Sequence, residues 1–204
     1  CGTSTGQPKF PIETYEELPD PTPPSDKEWA AVITTQVSWG TTDVRYAKHK
    51  LPQLKKQQIA VLKGWRGERV NAQAVVWTGA EVKDLNFSFT DFKDKKGNSL
   101  SNEAFKGGFI RYVMTDELNK DGRGACGHRK AVDFDSLLVA DPIDTNLKSL
   151  ALPSRTVQPI WVQCWIPQSA APGTYKGALL VKDGSRLLQQ LNLEILVSSR
   201  ELPA

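Results

Sequence analysis

The sequence predicts an all-β fold: an antiparallel β-sandwich of immunoglobulin or jelly-roll type, preceded by a proline-rich N-terminal tether. Three observations predict it. From Trp29 onward, most segments alternate apolar and polar residues with period two, as strands with one buried face require. Turn residues interrupt these short runs at near-regular spacing, at Lys96-Gly97-Asn98, Gly107-Gly108, Pro172-Gly173 and Asp183-Gly184. The residues before Trp29 are rich in small, polar and proline residues.

Taken in order, residues 1–28 read as the tether. Pro19, Pro21, Pro23 and Pro24 fix φ and remove backbone donors, which favours extended polyproline geometry. A tether directly after a cysteine at position 1 gives the expectation that Cys1 carries a lipid. The protein would then be exported and anchored in the cell envelope, facing the periplasm or the cell surface. Residues 29–197 read as the sandwich. AVITTQVSW puts Ile33, Thr35, Val37 and Trp39 on one strand face. RVNAQAVVW sets Val70, Ala72, Ala74 and Val76 against Asn71, Gln73, Val75 and Trp77. DLNFSF alternates Leu85, Phe87 and Phe89 with Asn86, Ser88 and Thr90. FIRYVM, PIWVQCWIP, TYKGALLVK and LNLEILV follow the same logic. Asp183-Gly184 is a favoured pair for a tight hairpin, and Leu191, Leu193, Ile195 and Val197 share one face beyond it. Only LPQLKKQQIAVLK carries a helical pattern, which Pro52 weakens. Residues 198–204 read as the start of a linker to a further, C-terminal domain.

Bulk composition narrows the function. The 204 residues are 39% hydrophobic and 24% charged, with a net charge of +3, which predicts a soluble globular protein without a nucleic-acid face. The densest basic stretch, Lys50 to Arg69, reads as a solvated surface around a strand. No apolar run approaches the roughly 20 residues that span a bilayer.

No catalytic motif stands out: neither a G-x-S-x-G elbow, nor H-E-x-x-H, nor a P-loop, nor a dinucleotide fingerprint is present. Asp133, Asp135, Asp141 and Asp144 could offer paired carboxylates of the glycosidase kind, but aspartates in such a segment more often cap turns. DELNKDGRG, with Asp116, Glu117, Asn119 and Asp121, lacks the ligand order of an EF-hand, and Cys126 with His128 lacks a second ligand pair, so no metal and no cofactor are expected. With Cys1 acylated, Cys126 and Cys164 are the two thiols able to form a disulfide, a buried free cysteine being the alternative. Trp39, Trp65, Trp77, Trp161 and Trp165 are expected mostly in the core. Trp65, in the GWRGER turn, is the exception and the candidate glycan contact.

WRGERVNAQAVVW, DSLLVADPID, QPIWVQCWIPQSAAPGTYKGALLV and SSRELPA, in that order between Trp29 and Ala204, resemble the N-terminal domain of glycoside hydrolase family 123-like proteins of gut Bacteroidetes. The resemblance implies a β-sandwich that precedes a TIM-barrel catalytic domain acting on β-linked N-acetylgalactosaminides, with the substrate's acetamido group as nucleophile. The family's Asp-Glu pair lies in that barrel, and no position here matches it. The expectation is therefore a non-catalytic domain that supports or orients the barrel of the same parent chain. Alternatives are a self-standing carbohydrate-binding module and a structural cell-surface domain.

Overall fold

A computed structural model describes residues 17–20, 23–115 and 137–203. Twelve strands follow one short helix, α1 (Asp26–Trp29), in chain order: β1 (Gln36–Gly40), β2 (Ile59–Arg66), β3 (Arg69–Thr78), β4 (Val82–Phe89), β5 (Phe92–Lys93), β6 (Ser99–Leu100), β7 (Phe105–Thr115), β8 (Leu137–Asp144), β9 (Ser149–Leu152), β10 (Thr156–Trp165), β11 (Gly173–Asp183) and β12 (Arg186–Glu201). They form two packed sheets, one ordered β1-β3-β10-β7-β8 and the other β2-β12-β11-β4-β9, with β5 and β6 appended at β11. The all-β sandwich is thus as the alternation predicts. Among the described strands β2 and β12 pair parallel, from Asn192 beside Ile59 to Glu201 beside Arg66.

The main core fills the space between the sheets. Val70, Ala72, Ala74 and Val76 of β3 meet Leu191, Leu193, Ile195 and Val197 of β12 across it, joined by Ile160, Val162 and Cys164 of β10. Trp39 locks the layers together, because its indole nitrogen crosses the core and donates to the carbonyl of Asn192 at 2.8 Å. Aromatic rings close the β4/β7 side: Phe87 lies edge-on to Phe109 at 5.2 Å, and Phe92 stacks on Phe105 at 4.0 Å.

The first sheet is covered on its outer face too. Val75, Trp77 and Val157 are buried there beneath Trp29 and Tyr46, while Ile110, Tyr112, Leu138 and Ala140 form a third cluster. This explains why β3 and β10 are apolar on both faces, a pattern expected of strands buried on two sides. Pro159 sits inside central strand β10, where it has no N–H to give. The buried amide of Gln158 donates instead to the carbonyl of Ile110 at 2.8 Å.

Four local expectations change. Ile33 is exposed and lies before β1, so the first strand holds only Val37 and Trp39 of the predicted face. LPQLKKQQIAVLK forms no helix; its second half is β2. Gly107-Gly108 is not a turn but lies within β7, near its start. The Phe87 ring occupies the space a side chain at Gly107 would need, and Ile143 does the same at Gly108. Asp141 and Pro142 lie in edge strand β8, a place where a sheet tolerates proline.

Among the described residues of the N-terminal stretch, Glu17 lies on the outer face of the first sheet. Its carboxylate accepts from Lys48 Nζ at 2.6 Å, Arg111 Nε at 2.8 Å and the backbone N–H of Tyr112 at 3.2 Å. Burial opposes ionisation of Glu17, but the bonds from Arg111 and Lys48 outweigh it and hold the carboxyl below its ordinary value of 4.5. The ion pairs therefore stabilise the fold fully above that value and are lost as pH falls through the lower folded-state value. Glu17→Gln is expected to cost about 1.5–3 kcal/mol at neutral pH. Denaturant midpoints measured across the acid range should show that deficit shrinking toward zero as wild-type Glu17 protonates.

Candidate functional site

The β2–β3 hairpin does not stay within one sheet. It carries the chain from the second sheet to the first around Gly67, whose φ of +86° is a conformation that favours glycine. Three strands terminate beside this turn. The N–H of Gly67 donates to Ile166 just past β10, Ile166 N–H returns a bond to Glu68, and the N–H of Leu202 just past β12 donates to Arg66. Parallel pairing of β2 with β12 puts the exit of the chain at this end of the sandwich.

Period two decides where the side chains go. On β2 the inward positions are Ala60, Leu62 and Gly64, followed by Arg66 at the mouth of the core; Trp65 points outward from the second sheet. On β10, Cys164 points in and Trp165 points outward from the first sheet. The two tryptophans thus flank Gly67 on opposite outer faces, 38% and 56% exposed, with Leu202 43% exposed beside them. Arg200 stands over the Trp65 ring at 5.7 Å and Arg69 over the Trp165 ring at 5.2 Å. Trp165 Nε1 also donates to the carbonyl of Gly67 at 3.2 Å. Two open clefts result, of about 570 Å³ against Trp65 and Leu202 and about 490 Å³ against Trp165 and Gln168.

Arg66 ties the end together. Its guanidinium donates to the carbonyls of Gln168 at 3.3 Å and Ser199 at 3.4 Å, and pairs with Glu201 at 3.2 Å. Among the described residues its Nε is the buried side-chain nitrogen without a hydrogen-bond partner. These contacts carry β12 past Val197, through an irregularity in register, to Glu201 beside Arg66, where the sequence predicts a linker.

The other predicted residues fall elsewhere. Trp39 and Trp77 are buried, and Trp161 is half-buried against the cluster of Ile110 and Tyr112. Asp141 pairs with Arg45 at 3.0 Å on the surface. Asp144 accepts from the N–H groups of Asn146 and Leu147 at 3.0 and 3.1 Å and lies 3.5 Å from Arg111, which is the turn-capping role aspartate favours. Cys1, Cys126, His128, Asp133, Asp135 and the segment from Asp116 to Asp121 lie outside the described residues. Cys164 is fully buried, has no disulfide partner among the described residues, and burial pushes its thiol up to about 12. Among the described residues no group of three or more His, Cys, Asp or Glu could hold a metal ion. Sequence reasoning missed Trp165, Arg66 and Leu202. The available signal was the order Trp165-Ile166-Pro167, which ends a strand just after an outward aromatic.

The model of the glycoside hydrolase 123 N-terminal domain matches residues 39–183. Among solved structures, a family 123 glycoside hydrolase from Clostridium perfringens, described for the details of glycolipid glycan hydrolysis, superposes with a TM-score of 0.69 at 22% identity. The match covers 83% of this chain and 28% of that one, so this chain spans under a third of its length. A PapD-like domain of human CEP192 gives 10% identity over 93% of this chain and 98% of that one, with a TM-score of 0.39. The N-terminal domain of PorA gives 7% over 81% and 99%, with a TM-score of 0.36. At such scores the likeness defines no shared fold. No curated protein matches the chain.

Two measurements check this geometry. Arg66→Ala should leave global stability within about 1 kcal/mol, because its one ion pair is partly exposed. It should speed hydrogen exchange of residues 198–202 while 191–197 keep their protection. Cys164 should resist alkylation at mildly alkaline pH in the folded protein and react once the chain is unfolded without reductant; a thiol still silent in the unfolded, unreduced chain would reveal a disulfide.

Proposed function

The chain belongs to the glycoside hydrolase 123 N-terminal domain family, and we propose that it is the non-catalytic β-sandwich of a larger glycoside hydrolase, supporting and orienting a catalytic TIM barrel in the same parent chain. The observation that carries this reading is the family match itself, which runs from the end of β1 through β11 and is to an N-terminal domain. The described aspartates among the candidate acids are engaged in the fold: Asp141 pairs with Arg45, and Asp144 caps a turn and shares Arg111 with Glu17.

The path of the chain favours a spacer role. Residues 23–32 pack at the end of the sandwich where β3 stops and β10 starts: Asp26 pairs with Arg155, and the carbonyl of Val32 lies against Gly79. The exit at Leu202 is at the opposite end, beside Gly67. A domain entered at one end and left at the other holds its N-terminal attachment and its C-terminal neighbour apart. On this reading the protein is exported and held to the cell envelope by a lipid on Cys1, and the parent acts on β-linked N-acetylgalactosaminides.

The purified chain should release no N-acetylgalactosamine from an aryl β-glycoside, whereas the longer parent protein should. Release by this chain alone, abolished by changing Asp133 or Asp141, would overturn the assignment.

A further inference from the structure

We propose that the Gly67 end of the sandwich is the seat of the domain that continues from Leu202 in the parent protein, with Trp65, Trp165 and Leu202 as its anchors; this rests on the hydrolase reading above. The two ends of the sandwich are built differently. The far end is covered by the protein's own residues 23–32, where Trp29 is buried and its indole donates to the carbonyl of His49. At the Gly67 end the described residues leave Trp65, Trp165 and Leu202 partly exposed, and two open clefts lie against them.

Continuity identifies the occupant. β12 is held in the sheet to Glu201, and the Leu202 N–H is bonded to Arg66, so the chain leaves the domain on this surface. A fold joined there is presented to the clefts at high effective concentration. The chain spans 28% of the related hydrolase, which supplies a large body to fill that place.

The chemistry of the surface defines its complement. Tryptophan and arginine are the residue types that dominate interface energetics, and here they come as stacked pairs, Arg200 on Trp65 and Arg69 on Trp165. An arginine already occupies one face of each ring, which disfavours a sugar sandwiched on it. The matching surface is apolar at its centre, with carboxylates placed to meet Arg69 and Arg200. Because the two tryptophans lie on opposite outer faces, a body seated across Gly67 touches both sheets and cannot swivel about the exit strand.

Hydroxyl-radical footprinting of the isolated chain and of the longer parent protein tests this. Both rings should be oxidised in the isolated chain. In the parent they should react about ten-fold slower, as side chains in the core of an interface do. Trp65→Ser with Trp165→Ser should leave the isolated chain folded with a single, modestly lowered transition and split a single unfolding transition of the parent into two. Equal oxidation rates in the two proteins would overturn the proposal, as would slowed oxidation in the isolated chain on addition of an N-acetylgalactosamine oligosaccharide. An aryl-glycosidase assay on the same parent separates the two readings. Activity with unprotected tryptophans defeats the seat alone, and protection without activity defeats the hydrolase assignment alone.

Discussion

The parallel pairing of β2 with β12 is the constraint on which the functional end depends. The other ladders among the described residues are antiparallel, so neighbouring strands leave in opposite directions. Here two strands run the same way and stop together, at Arg66 and Glu201. β2 must then turn at once, at Gly67, to enter the other sheet as β3. The exit of the chain, the bridge between the layers and the guanidinium that ties them are thereby brought to one place. Slipping β2 by one residue would turn Trp65 into the core and Gly64 outward, exchanging the two faces.

Sequence alternation made most of the inner core legible. β3, β4 and β12 place their apolar residues as the pattern requires, because a strand with one buried face has only one consistent register. It was less informative wherever a second layer intervened. Val75 and Trp77 read as the opposite face of β3 but gave no sign of what would cover them. That cover is Trp29 and Tyr46, which come from outside the regular strands. Gly107-Gly108 misled because glycine serves both turns and close packing, and only the Phe87 ring shows which applies. The end surface was half legible. Trp65 stood out through its turn, whereas exposure of Trp165 depends on β10 ending there and on the indole bonding across to Gly67.

The outer face of the first sheet shows how the N-terminal stretch can be proline-rich and still bind firmly. Proline removes donors, so residues 17–20 contribute little through backbone ladders. Attachment comes instead from charge, where Glu17 meets Lys48 and Arg111. Burial of Tyr112 beneath this network, followed by the nearby charges of Glu17 and Asp20, drives its hydroxyl well above the usual tyrosine value, so it stays protonated and donates to Val157 at 3.0 Å. A charged strap over an apolar sheet gives a firm hold without adding another strand edge.

The fate of the tryptophans follows from the same geometry. Trp29, Trp39 and Trp77 are buried and Trp161 is half-buried. Fully burying a large apolar side chain is worth about 1.5–3 kcal/mol, of which Trp65 and Trp165 forgo only a part. Both exposed rings flank one turn, and both carry an arginine on one face. An arginine stacked in advance restricts ring and guanidinium together, so less rotamer freedom is left to lose when a partner covers them. Fixed aromatic anchors at the point where the chain departs suit a domain that holds its successor in one orientation, and they suit a flexible spacer poorly.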